Sequence, residues 1–188
     1  MTIEINEAYH GTLTKNANKI VSDARFNAVS NPYKVTNDLG NGIYTYCSDE
    51  LGRWDPKKNA YDFAYMYKMG NELNSKKCSV IRLFLSEGSC IDFDSPKNKK
   101  IWSKLYKAVK YRAEQILANY PDTAAKRRHN IDGIIIEIGF TKNVFKDVDI
   151  VVKETYTAFP KGSRSNFPNG RECLIRHAKI INHMELVK

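Results

Sequence analysis

The order of helical and strand patterns along the chain limits the fold more than any other feature of the sequence. Patterns typical of helices occupy mainly the first two-thirds of the chain, and patterns typical of strands occupy mainly the last third. Regular alternation of strand, helix and strand, which a doubly wound parallel sheet requires, is rare. The sequence therefore predicts an α+β domain with a mixed or antiparallel sheet and flanking helices.

The individual elements follow from caps and periodicity. The longest helix is predicted to begin at Ser95-Pro96 and to run to about Asn119, with a lysine-rich side. Another begins at Asp55-Pro56, where Asp is the N-cap, and ends near Gly70. Shorter helical segments are predicted within residues 13–29 and 122–128. Strands are predicted at residues 7–12, 43–47, 80–85, 90–93, 133–138, 149–153 and 172–181, and the apolar run at 80–85 indicates a strand inside the sheet.

Composition restricts the class of protein further. The chain has 188 residues, 42% of them hydrophobic and 27% charged, so we expect one globular domain over residues 1–188. No apolar stretch has the roughly 20 residues of a membrane span, and the first residues lack a signal-peptide pattern, so a cytoplasmic location without membrane contact is expected. The four cysteines lack zinc-site spacing and are interpreted as reduced thiols, with no metal expected. The net charge of +9 favours a polyanionic or acidic partner.

Three short stretches have the residue types of a nucleotide site. In Tyr9-His10-Gly11-Thr12, an imidazole can bind a sugar hydroxyl, and the glycine lets its backbone approach a planar amide closely. In Gly40-Asn41-Gly42-Ile43-Tyr44, two glycines frame a turn and a tyrosine follows that can stack on a heteroaromatic ring. Each stretch alone also fits an ordinary strand end or β-turn.

The third stretch is Gly170-Arg171-Glu172-Cys173-Leu174-Ile175-Arg176, in which a carboxylate follows a loop rich in Pro, Gly and Ser and precedes an apolar run. Alternation along that run places Cys173 on the opposite strand face from Glu172. Tyr61 and Tyr65, four residues apart on the helix that begins near Pro56, share one helix face and provide further aromatic rings.

Taken together and in this order, the stretches resemble the ADP-ribosyltransferase superfamily, in particular its diphtheria-toxin/poly(ADP-ribose) polymerase branch with a His-Tyr-Glu triad. The resemblance covers Tyr9-His10-Gly11-Thr12, Gly40 to Thr45, Asn59-Ala60-Tyr61 and Glu172 to Arg176, with Ala178 to Ile181 as the following short strand. It implies a single ADP-ribosyltransferase-like domain with a split β-sheet core, and NAD as co-substrate without a metal.

The resemblance also implies roles for individual residues. His10 would hold the adenosine-side ribose of NAD, Gly11 would pair its backbone with the nicotinamide carboxamide, and Glu172 would bind the 2′-hydroxyl of the nicotinamide ribose. Tyr44 would stack on the nicotinamide, with Tyr61 on its other face. Thr12 and Gly42 complete the expected NAD-binding set. His10, Tyr44 and Glu172 are the expected catalytic residues.

Two departures from the family pattern affect these expectations. Gly170 stands where some relatives carry a second Glu or Gln that directs transfer to arginine or other nitrogens, so such acceptors are disfavoured. The Phe-Ala that often follows the tyrosine is replaced by Thr45-Tyr46. Glu137 and Glu154, on or near predicted strands, are rival carboxylates.

The basic residues suggest an acceptor. Cations and aromatics alternate in the loop before Glu172 and on the long helix, a pattern that suits phosphate contacts and base stacking on nucleic acid. We expect Lys161, Arg164, Phe167, Lys104 and Arg127 to contact the acceptor, with RNA favoured over DNA. Small bacterial relatives of this kind are often toxins in toxin–antitoxin or anti-phage systems, so a neutralising antitoxin is an expected partner. Modification of a protein, plain NAD hydrolysis and a non-catalytic nucleic-acid-binding module are the alternatives, and a solvated lysine face is the simplest interpretation of the helix.

Overall fold

A seven-stranded mixed sheet forms the centre of the protein. The computed structural model describes residues 4–26, 36–67, 77–122, 124–127, 129–158, 165 and 167–187. Along the chain these residues form β1 (Glu7–Leu13), α1 (Thr14–Asp23), β2 (Ile43–Tyr46), α2 (Pro56–Tyr67), β3 (Cys78–Leu85), β4 (Cys90–Asp92), α3 (Pro96–Ala118), α4 (Ala124–Arg127), α5 (Asp132–Thr141), β5 (Ile150–Thr155), β6 (Gly170–Ile175), a 3-10 turn (Ala178–Ile180) and β7 (Ile181–Val187).

The strand order is β4-β5-β6-β2-β1-β3-β7. Strands β4 and β5 are parallel, and the other neighbours are antiparallel. Strands β1 and β3 pair along their whole length, whereas β1 and β2 are joined by the Tyr9–Tyr46 pair alone among the described residues. The predicted α+β class with a mixed sheet is therefore confirmed, and its two halves meet at a narrow joint.

Helices cover both faces of the sheet. On one face, α3 and α5 pack against β5, β6 and β2 through a cluster that includes Val151 and Leu174. On the same face α2 covers the joint, where Ala60 packs against Tyr46 and Tyr9. The opposite face carries α1 and a second cluster that includes Ala17 and Cys173. The predicted separation of Cys173 from Glu172 is confirmed, and all four cysteines are free thiols.

The long helix α3 begins as its sequence predicts. The Ser95 hydroxyl accepts the Asn98 N–H at 3.3 Å, and Pro96 occupies the first helical position. Its buried residues recur every fourth position, which holds one side of the helix against α5 and the sheet: Leu105, Val109, Ala113 and Leu117.

The predicted strand at residues 133–138 is wrong, because this segment lies within helix α5. Its residues Gly133 to Ile136 are all buried, together with Ile138 and Gly139. A continuous apolar run occurs both in buried strands and in helices that are enclosed on all sides, so periodicity does not distinguish the two kinds of element. Gly133 allows the close packing, because a Cβ there would lie 1.7 Å from the Asn37 carbonyl oxygen.

The predicted final strand at 172–181 is also wrong in its extent. The chain forms β6 from Gly170, two residues before Glu172, and leaves the sheet after Ile175. The stretch Ala178–Ile180, expected to be a strand, is a 3-10 turn, and β7 then pairs with β3 at the far edge. The other predicted elements are present with small changes in their bounds. Gly70, the predicted end of α2, lies outside the described residues.

Candidate functional site

Glu172 lies between the two groups of helices on one face of the sheet. Successive residues of β6 on that face are Leu174, Glu172 and Gly170. Leu174 is buried in the α3–α5 cluster, whereas a Cβ at Gly170 would lie 2.4 Å from Asn59 Nδ2 of α2. The carboxyl group of Glu172 therefore occupies the gap between these two layers.

Cross-strand neighbours flank this carboxyl group. Tyr46 of β2 stands opposite Glu172 on one side, and Lys153 of β5 stands opposite it on the other. The Tyr9–Tyr46 pair continues the row into β1. Directly opposed residues of antiparallel strands share one face, so an acid lies between an aromatic ring and a cation at the middle of the sheet.

The surroundings of Glu172 disfavour its ionised form. Burial raises its pKa to about 7, and the negative charge of Asp38 adds to the rise. The Thr155 hydroxyl and the positive charge of Lys153 oppose it in part. The Thr155 hydroxyl oxygen is buried and has no partner within hydrogen-bonding geometry among the described residues. A carboxyl group that titrates near neutral pH in a cleft is a candidate for function.

A polar cavity of about 330 Å³ lies on the β5 side of Glu172, which does not itself line it. Three of the groups that act on the Glu172 pKa, namely Asp38, Lys153 and Thr155, also line the cavity. Asp132, at the first turn of α5, is a further lining residue, and burial followed by the charge of Asp38 raises its pKa. The remaining lining residues are Leu39, Asn130, Glu154, Tyr156 and Pro168. The cavity thus combines carboxyl, ammonium, hydroxyl and amide groups that can bind a polar ligand.

Tyr44 is held firmly on the same face as Glu172. Its hydroxyl accepts the Leu39 N–H at 2.7 Å and donates to the Gly40 carbonyl at 3.1 Å. Its ring packs against the α3–α5 cluster, and burial raises the pKa of the phenol. These bonds fasten the glycine turn to β2 and fix where the ring lies.

His10 joins the first two motifs through the Tyr44 backbone. Its Nδ1–H donates to the Tyr44 carbonyl at 2.7 Å, a bond that fixes the tautomer and the ring orientation. The imidazole also meets Phe26 edge-on, with the ring centroids 5.2 Å apart. Alternation from Tyr9 places this ring on the opposite sheet face from Glu172. The structure therefore brings His10 to the strand of Tyr44, but not to the carboxyl group itself.

The remaining residues of the expected NAD-binding set surround the joint between β1 and β2. Gly11 lies under α2, because a Cβ there would be 1.7 Å from the Ala60 carbonyl oxygen. Thr12 is buried opposite Ser79 of β3. Gly42 precedes β2, and a Cβ there would lie 2.5 Å from the Ile175 carbonyl oxygen.

Tyr61 and Tyr44 do not lie against each other in this structure. It stacks on Tyr65 with centroids 6.3 Å apart and packs with the α2 and β1 side chains. Tyr44 instead belongs to the α3–α5 cluster. The two rings expected to enclose nicotinamide therefore lie in different clusters.

The rival carboxylates have structural partners. Glu137 lies on α5, where its Oε1 accepts from Arg176 Nη1 at 2.6 Å and from the Asn41 N–H at 2.8 Å. Glu154 of β5 forms an ion pair with Arg53. Both side chains tie surface elements together, and Glu154 also lines the cavity. Of the three carboxylates, Glu172 is the one that stands between Tyr46 of β2 and Lys153 of β5.

The expected acceptor residues are spread over the surface. Phe167 is 80% exposed beside Pro168 of the cavity, and Lys104 is exposed on α3. Arg127 of α4 pairs with Asp122 at 3.0 Å. Lys161 and Arg164 lie outside the described residues.

Several residues of the site were not predicted from the sequence. Tyr46 is one of them, and alternation from Tyr44 could have identified it as a residue of the same face. Asp38 comes from the loop before β2, Asp132 from α5, and Lys153 and Thr155 from β5. Only the tertiary fold brings these three parts of the chain together, so no local signal marks the residues.

The described ranges contain no group of three or more His, Cys, Asp or Glu side chains placed to hold a metal ion. In the same ranges, no helix combines the length and apolar character needed to cross a membrane. Compared with family models, curated proteins and solved structures, the chain shows no significant match to any of them.

Proposed function

We propose that the protein is an NAD-dependent ADP-ribosyltransferase that transfers ADP-ribose from NAD to a nucleic acid, RNA in preference to DNA, and releases nicotinamide. The observation that carries this proposal is the strand order β6-β2-β1. The motifs of Glu172, Tyr44 and His10 are far apart in the sequence, yet they occupy three neighbouring strands at the centre of the sheet.

The position of Glu172 suits the chemistry of NAD. Cleavage of the bond between ribose C1′ and the nicotinamide nitrogen places positive, oxocarbenium-like charge on the sugar, and nicotinamide leaves with the bonding electrons. A fixed carboxylate beside the ribose stabilises this charge more in the transition state than in the ground state. The positive charge of the nicotinamide ring of bound NAD would favour the ionised form of Glu172, which burial otherwise disfavours.

The joint between β1 and β2 is the proposed place for the nicotinamide half of NAD. Beyond the Tyr9–Tyr46 pair the described parts of these strands no longer pair, so an edge of the Gly11–Thr12 backbone faces the Gly42–Tyr44 side. His10 spans this opening with its bond to the Tyr44 carbonyl. Tyr61 is the proposed second aromatic wall, and its ring would have to turn toward Tyr44 when NAD binds.

The cavity on the β5 side of Glu172 is the proposed entry for the acceptor. It lies across Glu172 from β1, and Pro168 and Tyr156, at the ends of the β5–β6 loop, line it. The acceptor hydroxyl oxygen would form a bond to C1′ from the face opposite to the departing nicotinamide and release its proton to water. An enzyme of this kind would need a neutralising antitoxin in the cell that makes it.

Release of nicotinamide tests the proposal. Purified protein incubated with NAD should produce free nicotinamide, quantified by chromatography, and Glu172→Gln should slow it by about 100-fold or more, as loss of a transition-state electrostatic contact does. Glu50→Gln, the same substitution at an exposed position in a surface turn, is the matched control and should keep most of the activity. Equal loss in both variants, or none in Glu172→Gln, would contradict the assignment.

A second measurement identifies the acceptor. NAD labelled in its adenylate phosphate is incubated with the protein and with separate pools of RNA, DNA and protein. Label on RNA, or on RNA and DNA, is the expected result. Label on protein alone would establish a protein acceptor, and consumption of NAD with no labelled macromolecule would establish an NAD hydrolase.

A further inference from the structure

Helix α3 carries a straight line of cations on the side away from the core. Lys97, Lys100, Lys104 and Lys107 are all exposed, and Tyr111 continues the same line. At 100° per residue these five positions lie within about 80° of one another around the helix, and at 1.5 Å per residue they extend over about 21 Å. We call these five residues the lysine stripe.

Of the three other cations of α3, Lys99 and Lys110 have acidic partners, whereas Arg112 makes no ion pair with a described residue. Lys99 pairs with Asp94 and Lys110 with Glu114, each at 3.8 Å. Glu114 is the one acidic residue within α3. In the described part of the chain, none of the four stripe lysines makes an ion pair. Their charges therefore face solvent uncompensated and add along one line.

The aromatic residues of α3 also form two groups, those packed against the core and one that is exposed. Trp102 and Tyr106 pack into the α3–α5 cluster, where Trp102 meets Phe93 at 5.6 Å. They support the helix and do not offer a stacking surface. Tyr111, in contrast, is 73% exposed at the end of the stripe. A ring so exposed next to a row of cations can stack on a base.

The N-terminal end of α3 connects the stripe to the candidate site. Asp92, at the end of β4, pairs with Arg171, the neighbour of Glu172, at 3.3 Å. Asp94 Oδ2 accepts the Glu154 N–H at 2.5 Å, beside the cavity wall at Thr155. Lys97 follows Asp94 by three residues. The stripe thus begins at the strand ends that carry Glu172 and the cavity, and leads away from them.

We propose that the lysine stripe is a docking track for the backbone of single-stranded nucleic acid, with up to four phosphates on the lysines and a base on Tyr111. In single-stranded nucleic acid, successive phosphates follow one another along the backbone and the bases lie beside them. A narrow row of unpaired ammonium groups can bind such phosphates, and the exposed ring at its end can stack on a base. The track delivers one end of the strand to the cavity next to Glu172. This delivery rests on the proposed function, whereas the binding itself needs neither NAD nor catalysis.

Fluorescence anisotropy with 5′-labelled 20-nucleotide RNA and DNA of mixed sequence, without NAD, tests the track. A variant with Lys97, Lys100, Lys104 and Lys107 changed to serine is compared with wild type between 50 and 200 mM NaCl. Its control removes the same charge from exposed lysines elsewhere: Lys15, Lys19, Lys142 and Lys146. The melting temperatures of both variants establish that they fold.

The stripe variant should bind at least 10-fold more weakly at 50 mM NaCl, and the slope of log affinity against log salt should fall by about 3, since each phosphate contact on a single strand contributes about 0.7. The control should lose several-fold less. Tyr111→Ala should weaken binding with little change in the salt slope. Equal losses in the two charge variants would overturn the proposal, because net charge alone would then explain binding.

Absence of wild-type binding to RNA and DNA, with or without binding to anionic vesicles, would also overturn it. Glu172→Gln separates the two proposals, because it should bind the labelled strands as wild type does. If the wild type binds the labelled strands but releases no nicotinamide, the proposed function is contradicted and the docking track is still supported. If it releases nicotinamide but does not bind the strands, the docking track alone is contradicted.

Discussion

The side chain of Glu172 is an acid in surroundings that disfavour its ionisation. Burial and the nearby charge of Asp38 both disfavour the carboxylate, and Lys153 compensates only in part. A glutamine at this position would fit the same space without carrying charge. A protein that keeps such a carboxyl group at the centre of its sheet loses stability by doing so, which is a common feature of functional sites.

The stability that the protein loses by burying the Glu172 carboxyl group depends on pH. The Glu172 pKa is raised from 4.5 to about 7 by folding, so the folded state binds the extra proton between these values and becomes less stable as pH rises through them. Glu172→Gln should therefore raise the melting temperature at pH 8, by a few degrees or about 1–3 kcal/mol at about 1.4 kcal/mol per pKa unit, and change it little at pH 4.5.

Thermal unfolding of both proteins at pH 4.5, 6, 7 and 8 checks this expectation. Glu50→Gln, which removes an exposed carboxylate from a surface turn, is the control for the loss of one charge. A Glu172→Gln difference that stays constant across this range would show that the carboxyl group is not desolvated as the structure indicates.

Among the elements, the sequence predicts those whose signals are local. The Ser95 cap and the spacing of buried residues identify α3, and Asp55-Pro56 identifies α2. The α5 segment was predicted as a strand because its isoleucines are buried on every side, a property set by tertiary packing. Strand order is also beyond local signals, since pairing of β6 with β2 joins residues from opposite ends of the chain.

The residues of the candidate site also fall into those that local sequence signals predict and those that they do not. Motifs name Glu172, Tyr44 and His10, and their roles stay predictions. The groups that set the Glu172 pKa come from the loop before β2 and from β5, which only the fold brings together. The family resemblance implies a ligand contact for the Gly11 backbone, which stays a prediction, and the structure shows in addition that Gly11 lies against α2.

That contact makes Gly11 a test of how α2 is seated on the sheet. A methyl group at Gly11 would lie 1.7 Å from the Ala60 carbonyl oxygen and 3.2 Å from the Ala64 side chain, so the helix would have to move. Gly11→Ala should cost about 1–3 kcal/mol, as overpacking typically does, and lower the midpoint of urea unfolding. Gly88→Ala, whose new methyl group would have its nearest neighbour at 3.3 Å, should cost less. Equal costs would mean that α2 does not press on β1.

On the scale of the whole molecule, two sheet halves meet at one strand pair. The half with β1, β3 and β7 carries His10 and Gly11, and the half with β4, β5, β6 and β2 carries Tyr44 and Glu172. The bond from His10 to the Tyr44 carbonyl crosses the joint. A ligand that contacts both halves would add bonds where the sheet has fewest, and so would stabilise the protein against unfolding.

NAD is expected to be that ligand, and its effect on unfolding can be measured without any acceptor. At 100 times its dissociation constant, a ligand adds about 2.7 kcal/mol, which corresponds to roughly 5–10 °C for a chain of this size. Wild type and Glu172→Gln should both show the rise, since Glu172 acts mainly in the transition state. His10→Ala should lose most of it, whereas His183→Ala, at the far edge strand, should keep it. If NAD leaves the wild-type melting temperature unchanged up to millimolar concentration, the opening between β1 and β2 does not bind NAD.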